Sequence, residues 1–228
     1  GKSLCRSNEI TVTTPEELIV TSNVTLTKNM TVYSVDITNA TLNLNGYSLT
    51  VYHDYTQNNG TLVFNDGVLD VRGNYNLGKN ARVVMQNAND YLHVKGNFFW
   101  QTTVSGSNIL KNGIIEVEGN FTADAYGSFL ATDYHKVILS GKKRQTISLH
   151  KDARFHILEL KNTSAEGVCS ITSFQYDTLL LNDTKLMIGT IEGSQGVTLE
   201  EDEIWYGDYY LIGGALDLNG HTLTINGN

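Results

Sequence analysis

The sequence predicts an all-β fold, a right-handed parallel β-helix (solenoid) of about ten coils. Three observations support this prediction: a strand motif that recurs at intervals in the low twenties, a regular alternation of apolar and polar residues within it, and glycines close after most of its strands. Parallel strands joined by crossovers are almost always right-handed, which gives the expected hand. A single proline and the frequent glycines argue against long helices.

The recurring motif is an apolar residue, any residue, valine, any residue, and then usually Gly-Asn and an aromatic residue. The central valines are spaced by 20, 23 and 23 residues, as expected if each coil climbs by one strand. The four copies are Leu49–Tyr55, Leu69–Tyr75, Leu92–Phe98 and Ile115–Phe121. Because side chains alternate along a strand, the apolar and valine positions should point inward as two columns of the core. On the outward side, Lys95 should lie beside Glu118, and His93 beside Glu116.

The residues after each strand are suited to a corner of the solenoid, because glycine and asparagine tolerate positive φ. We expect one residue of each corner to form a ladder that bonds to the coils above and below. The ladder residues are Asp54, Asn74, Asn97 and Asn120. The aromatic residues one position later should stack as structural packing rather than as a ligand platform. They are Tyr55, Tyr75, Phe98 and Phe121.

The chain is interpreted as one β-helix domain whose ends are less regular than its middle. Thr14, Pro15 and the acidic Glu16 and Glu17 predict a short N-terminal capping helix over the open end of the core. The parts of the domain are an N-terminal cap with the first coils (1–40), regular repeats (41–175) and irregular C-terminal coils (176–228).

An internal similarity links the two ends of the chain. Residues 42–54 reappear as residues 216–228, with six identical positions. We therefore expect the natural protein to continue as a longer rod. The alternative is one solenoid whose last coil resembles an early one.

Charge and composition disfavour several classes of partner. The chain has 16 Lys and Arg against 24 Asp and Glu, a net charge of −8, and its basic residues are scattered, so no nucleic-acid partner is expected. No apolar run approaches the ~20 residues that span a bilayer, so no membrane insertion is expected. Cys5 and Cys169 form neither a metal-ligand spacing nor a disulfide framework, and both are expected to be free.

An ordered series of short motifs follows the regular repeats. They are Gly127-Ser-Phe-Leu-Ala131, His135-Lys-Val-Ile-Leu-Ser-Gly141, Gln145-Thr-Ile-Ser148, Phe155-His-Ile-Leu-Glu-Leu160, Asn162-Thr-Ser164 and Gly167-Val168. Together with the upstream repeats, the series resembles a module of large secreted or cell-surface proteins of low-GC Gram-positive bacteria, over roughly residues 40–175. The resemblance implies an extracellular, modular β-solenoid, often in proteins that contact plant or host polysaccharide, and it carries over no catalytic residues. Cys169 departs from the module, which would have a hydroxyl-bearing or apolar residue there.

No known catalytic motif is present: there is no Gly-x-Ser-x-Gly, His-Glu-x-x-His, Cys-x-x-Cys or phosphate-binding glycine loop. No catalytic residue, metal site or cofactor is therefore expected. Polysaccharide lyases and glycoside hydrolases remain an alternative, because Glu116, Glu118 and Asp70 should share one outward face. Their neighbours Arg72 and Lys95 favour an ordinary charge-balanced face instead.

The best candidate for ligand contact is an aromatic cluster near the C-terminus. Sugars stack their C–H faces on aromatic rings, while acidic groups accept hydrogen bonds from hydroxyls. The predicted carbohydrate-binding residues are Trp205, Tyr206, Asp208, Tyr209 and Tyr210, with Trp100 as a weaker addition. The competing interpretation is that these aromatics pack the last coils. The acidic run 200–203 before the cluster is read as a solvated loop rather than a calcium site.

The expected protein is thus a non-catalytic, secreted or cell-surface module of a bacterial protein. It would adhere to or contact a polysaccharide or glycan of a plant cell wall or host surface, and it would adjoin further modules of the same chain. The alternatives are a β-helix polysaccharide lyase or glycoside hydrolase, and a purely structural spacer without any ligand.

Overall fold

A computed structural model of the protein describes residues 16–170, 174–188, 197–199, 201–206 and 216–226. These residues form short strands, and the only helix among them is a 3-10 turn at Gly106–Asn108. The strands are, in chain order, β1 Leu18–Val20, β2 Val24–Thr25, β3 Met30–Val32, β4 Val35–Ile37, β5 Thr41–Asn43, β6 Ser48–Val51, β7 Tyr55–Val63, β8 Val68–Val71, β9 Tyr75–Val84, β10 Tyr91–Val94, β11 Phe98–Trp100, β12 Ile114–Val117, β13 Phe121–Ala123, β14 Lys136–Leu139, β15 Gln145–Leu149, β16 Arg154–Leu160, β17 Val168–Ser170, β18 Gln175–Leu180, β19 Leu186–Ile188, β20 Val197–Thr198, β21 Glu203–Tyr206, β22 Leu216–Asp217 and β23 Leu223–Asn226. The all-β prediction is confirmed.

The strands stack in two long parallel sheets. Sheet 1 has eleven strands, in the order β1-β4-β7-β9-β11-β13-β15-β17-β19; in addition, β5 pairs with β7 and β2 pairs with β5. Sheet 2 has eight strands, in the order β3-β6-β8-β10-β12-β14-β16-β18. Because the chain alternates between the sheets and each coil adds one strand to sheet 2, the fold is a β-solenoid of about eight coils. The prediction of about ten was slightly high, since β20–β23 pair only with each other, in two separate two-stranded sheets.

The predicted inward columns are confirmed in register. In sheet 2 the leucine or isoleucine of each motif lies directly against that of the next coil, and so does the valine. All eight side chains are fully buried. They are Leu49, Leu69, Leu92, Ile115, Val51, Val71, Val94 and Val117. Burying one such side chain stabilises a fold by about 1.5–3 kcal/mol, so these columns are the main stabilising element of the regular region.

The corner between sheet 2 and sheet 1 is held by the predicted ladder, which we call the asparagine corner (residues 52–54, 72–74, 95–97 and 118–120). A side-chain oxygen of each ladder residue accepts a hydrogen bond from the backbone N–H at the same position of the next coil. The distances are 2.7 Å from Asn74 N to Asp54, 2.9 Å from Asn97 N to Asn74 and 2.9 Å from Asn120 N to Asn97. The ladder therefore joins side chain to backbone, and not side chain to side chain.

The predicted aromatic stack lies inside the solenoid, directly after the asparagine corner. Successive rings of Tyr55, Tyr75, Phe98 and Phe121 are stacked, with centroids 4.7, 5.3 and 4.7 Å apart. All four side chains are fully buried, so they are packing elements and present no face to a ligand.

The opposite corner, from sheet 1 to sheet 2, changes from coil to coil, and we call it the variable corner. Its segments between strands are residues 64–67, 85–90, 101–113, 124–135 and 150–153. Because the asparagine corner keeps a constant length through residue 120, the change in repeat length from 20 to 23 residues falls in sheet 1 and in the variable corner.

The predicted N-terminal capping helix is wrong where the structure describes it. Leu18 begins β1, its N–H donates to Ser34 O at 2.8 Å, and the Glu16 carbonyl accepts from Tyr33 N at 2.8 Å. Pairing with the next coil satisfies backbone groups that a helix would otherwise use. Thr14 and Pro15 lie outside the described residues.

Candidate functional site

The predicted aromatic cluster is described only in part. Trp205 and Tyr206 belong to β21, whose backbone pairs in parallel with β23. Asp208, Tyr209 and Tyr210 lie outside the described residues, as does Glu200 of the acidic run. The cluster therefore stays a prediction.

The expectation that Trp100 is exposed is wrong. Its side chain is 1% exposed, its Nε1 donates to Ser128 Oγ at 2.9 Å, and its ring packs edge-on against Phe129 with centroids 5.3 Å apart. In β11, Phe98 and Trp100 occupy the inward positions of the alternation. Trp100 is a core residue and offers no surface to a sugar.

Phe99 lies between Phe98 and Trp100 in β11, points to the outer side of sheet 1 and is half-buried. It lines an open cleft of about 260 Å³ on the outer face of this sheet. The other lining residues are Asn58, Asn76, Leu77, Gly78 and Gln101. We call this the Phe99 cleft. In the run Phe98-Phe99-Trp100, the alternation of side chains along a strand assigns the outward position to Phe99 and an inward one to Trp100.

The cleft lies at a β-bulge between β7 and β9. The register pairs Gln57 with Leu77 but then Asn59 with Asn80, so β9 contains one extra residue. Gly78 lies in this bulge, and a Cβ there would sit 2.9 Å from Asn58 Cα. A side chain at position 78 would thus collide with Asn58 of the neighbouring coil.

The Phe99 cleft combines an aromatic ring with amide side chains and has no charged lining residue. Asn76 and Phe99 are in register on neighbouring strands, about 4.8 Å apart. A sugar ring could stack its C–H face on Phe99 while amides of Asn58, Asn76 or Gln101 bond its hydroxyls. The volume is just below the range of drug-sized pockets, which suits one or two sugar units.

The outer face of sheet 2 has a different character, because it carries a network of titratable side chains. His93 bonds Asp70 Oδ1 through Nδ1 at 2.8 Å and Glu118 Oε1 through Nε2 at 3.0 Å. Tyr91 donates its hydroxyl to Glu116 Oε2 at 2.5 Å. Burial, followed by the bond to Glu116, raises the pKa of Tyr91, so this hydroxyl stays a donor.

The structure thus brings together the three carboxylates of the enzyme alternative, but each already has a partner in the protein. His93 is in register with Glu116 as predicted, yet it bonds to Glu118, two residues further along the chain in the asparagine corner. The described structure gives Lys95 no ion pair with Glu118. These carboxylates bond to Tyr91 and His93, while the side chains of Asp70 and Glu118 stay 26% and 35% exposed.

A second cleft of about 320 Å³ lies near the start of β16. Arg154 and His156 line it, and both hydrogen-bond to Asp177 on β18. Leu130, Ala131 and Thr132 form part of its opposite wall. Arg154 and His156 on β16 thus share the Asp177 carboxylate on β18. These bonds join neighbouring coils, as cross-strand pairs do in regular sheets.

Histidines of the described chain mostly lie beside acidic residues. His53, His150 and His221 contact Asp54, Asp152 and Asp202, respectively. His135 differs, because it is fully buried, packs edge-on near Phe129, and has a pKa lowered to about 3 by burial and by the nearby His156. Within the described residues no group of three or more His, Cys, Asp or Glu side chains is arranged to hold a metal ion.

Cys169 is buried in β17, and Cys5 lies outside the described residues. In the part of the chain that the structure describes, no helix has the length and apolarity needed to cross a membrane.

Comparison with known proteins gave no match: no protein-family model, no curated protein and no solved structure is similar to this chain.

Proposed function

We propose that this solenoid is a non-catalytic, secreted or cell-surface module that binds carbohydrate, and that the Phe99 cleft is its contact site. One observation supports this most directly: a half-buried aromatic ring lies on an otherwise polar outer face, surrounded by uncharged amides. Phe99 points outward and is only partly buried, so part of its ring stays accessible to a ligand. Aromatic stacking with a few amide hydrogen bonds is a common chemistry for sugar recognition.

The ligand class follows from the lining. Because no charged residue lines the Phe99 cleft, a neutral sugar fits it better than an acidic or basic one. The open shape of the cleft favours a shallow contact with part of a polysaccharide over enclosure of a free monosaccharide. Shallow sites of this kind bind weakly, and adhesion then depends on many sites along a surface.

The enzyme alternative is favoured by one observation, the grouping of Asp70, Glu116 and Glu118 on sheet 2. It is weakened by the bonds that these carboxylates make to His93 and Tyr91. The spacer alternative requires that Phe99 have no ligand at all.

A panel of plant and host polysaccharides separates these functions. Wild type is compared with Phe99→Ala, Trp205→Ala and the control Tyr134→Ala, which removes an exposed aromatic ring outside the cleft. We expect wild type to bind a neutral glycan and Phe99→Ala to lose at least tenfold in affinity, while the control stays unchanged.

Other outcomes have equally definite meanings. Loss of binding only in Trp205→Ala would move the site to the C-terminal cluster. Release of reducing ends from a polysaccharide, abolished in Glu116→Gln or Glu118→Gln, would establish the enzyme. Absence of any binding across the panel would leave the spacer function.

A further inference from the structure

One column of uncharged side chains runs along the outer face of sheet 1 and continues on both sides of the Phe99 cleft. Its members lie in register on five successive strands of the sheet, each directly against the next. Each is half-buried and lies between two buried residues of its strand. Because neighbouring strands are ~4.8 Å apart, the column is about 19 Å long and follows the solenoid axis. Its residues are Thr56, Asn76, Phe99, Thr122 and Ser148, and we call them the neutral column.

The equivalent outward column of sheet 2 is different, because most of its side chains are titratable. It includes Asp70, His93 and Glu116 on β8, β10 and β12. Glu159 of β16 continues it two coils further. Displacing water from a charged group costs more than displacing it from a hydroxyl or an amide. A neutral chain would therefore lose less by docking on sheet 1 than on sheet 2.

Polar groups on the neutral column and beside it are free to bond a ligand. Within the part of the chain that the structure describes, four of these side chains take part in no hydrogen bond: Thr56, Thr122, Asn58 and Gln101. Asn58 and Gln101 are also exposed, and both line the Phe99 cleft. By contrast, the ladder asparagines use their side-chain oxygens to join one coil to the next. The free hydroxyls and amides supply both donors and acceptors, which is what sugar hydroxyls require.

The Phe99 cleft is itself elongated along the solenoid axis. Its lining residues belong to three neighbouring coils, from Asn58 on β7 through Gly78 on β9 to Phe99 on β11. Three strands span about 10 Å, whereas the residues that line the cleft on any one strand span about 7 Å. A glycan directed along a strand would also reach the asparagine corner within a few residues. A chain that continues out of the cleft on this sheet therefore follows the neutral column.

Charged side chains mark both ends of the neutral column. Asp36 is in register with Thr56 on the N-terminal side. On the other side, Ser148 Oγ donates to Asp124 Oδ2 at 3.1 Å. The uncharged surface thus extends over the four steps between five strands. One pyranose unit of an extended glycan is about as long as one such step of ~4.8 Å, so about four units would fill the column.

We propose that the Phe99 cleft is the central part of an extended site, and that a linear neutral polysaccharide lies in it along the neutral column. This inference rests on the proposed function and adds the form of the ligand, its direction and the number of units bound. Phe99 stacks on one unit near the middle, and the hydroxyls and amides of the other coils bond units on either side. Because every coil adds a contact, affinity increases with the length of the glycan.

The test compares oligosaccharides of two and four units, prepared from the neutral polysaccharide that wild type binds in the panel. Affinities are measured by isothermal titration calorimetry with the full chain. We expect the tetrasaccharide to bind at least tenfold more tightly than the disaccharide. A two-unit site could hold a tetrasaccharide in three alternative positions, which raises affinity only about threefold. A gain below tenfold would therefore overturn the extended site.

Two matched variants test whether the neutral column supplies this gain. Thr56→Lys combined with Thr122→Lys places a cation on either side of the cleft, where a neutral sugar would have to desolvate it. The control combines Thr31→Lys with Thr50→Lys, at outward positions in register on sheet 2. We expect the first variant to lower the tetrasaccharide-to-disaccharide affinity ratio to about threefold, and the control to keep the wild-type ratio. Equal ratios in the two variants would overturn the proposal. Thermal unfolding shows whether each variant folds, and the wild-type length dependence decides the question where one does not.

Failure of this inference is distinguishable from failure of the proposed function. If both oligosaccharides bind equally well and Phe99→Ala weakens both, the Phe99 cleft is a two-unit site and only the extension fails. Absence of binding to any neutral glycan would overturn both proposals.

Discussion

The two corners of each coil differ in how they are stabilised. The asparagine corner has three residues in each of four successive coils and repeats one hydrogen bond, from a backbone N–H to the ladder residue of the coil below. The variable corner ranges from four residues (64–67) to thirteen (101–113), and each of its segments is held by different side chains. The comparison indicates that, between residues 52 and 120, the solenoid tolerates change in one corner while the other corner keeps a constant length.

Single buried polar side chains hold the variable corner. Asp90 accepts backbone N–H groups from Asp66, Gln86 and Asn87, at 2.7, 2.7 and 3.0 Å. In the following coils, Ser128 Oγ joins the Trp100 ring to the Thr102 carbonyl. Each such residue joins its own segment to the coil below by bonds that no other coil repeats, whereas the ladder repeats one bond over successive coils.

The largest effect is expected where the asparagine corner packs backbone on backbone. In Gly96→Ala, the new Cβ would lie 2.4 Å from Gly73 O, which the stacked coils cannot avoid without moving apart. We expect a loss of about 3 kcal/mol in the free energy of unfolding, measured by urea denaturation. Lys95→Ala, at the exposed neighbouring position, should change it by less than about 0.5 kcal/mol. Equal stability of the two variants would show that the corner is not tightly packed.

The next largest effect is expected from Asp90→Asn in the variable corner. An asparagine retains one acceptor oxygen and turns an NH2 group towards a backbone N–H, so at least one buried bond is lost. We expect a loss of about 2 kcal/mol in the free energy of unfolding at pH 7. Replacing a single ladder residue of the asparagine corner should lower the free energy of unfolding by less than this. If Asp90→Asn is neutral, the corner is held by other contacts.

The same variant has a defined pH dependence. Burial raises the pKa of Asp90 in the folded protein, although the three backbone bonds oppose this shift. A raised folded pKa contributes stability at acid pH that is lost as the pH rises through the folded value. The stability difference between wild type and Asp90→Asn should therefore be larger at acid pH and decrease as the pH rises. A difference that increases with pH would show that the hydrogen bonds outweigh burial.

The contrast between the corners also explains what could be predicted from the sequence. The ladder at Asn74, Asn97 and Asn120 was predictable because the same residue type recurs at the same place in the motif. Asp90 was not, because its role depends on the length of one segment and on the coil below it. Phe99 lies between these cases: alternation fixes its outward direction, but the bulge at Gly78 that opens the cleft arises from a register shift between two strands.

A smaller effect is expected from a single ladder residue. Asn97→Ala removes the acceptor of the Asn120 N–H, which should cost about 1 kcal/mol because the corner is partly exposed to water. Asn97→Asp keeps an acceptor oxygen, as Asp54 does two positions earlier in the ladder, and should cost less than half as much. Thermal unfolding of the two variants measures the difference. If both lose the same stability, the ladder depends on the amide group and not on the acceptor oxygen.

The smallest effect, and one of opposite sign, is expected in the aromatic stack beside the asparagine corner. The Tyr75 hydroxyl is fully buried and has no hydrogen-bond partner among the described residues, whereas the Tyr55 hydroxyl donates to Gln57 Oε1 at 3.0 Å. Tyr75→Phe removes a desolvated polar atom and places a phenylalanine in the column, as at positions 98 and 121. Stability should therefore stay equal or rise by up to about 1 kcal/mol. Tyr55→Phe leaves Gln57 Oε1 without this donor and should cost about 1 kcal/mol. The two tyrosines are equally buried and stack on each other, although Tyr75 also stacks on Phe98. Because each variant keeps its ring, a difference in stability reports the hydroxyl partner. If Tyr75→Phe is instead the more destabilising change, its hydroxyl must be bound by an ordered water inside the solenoid, and the interior beside the regular corner is then less dry than the packing of its rings indicates.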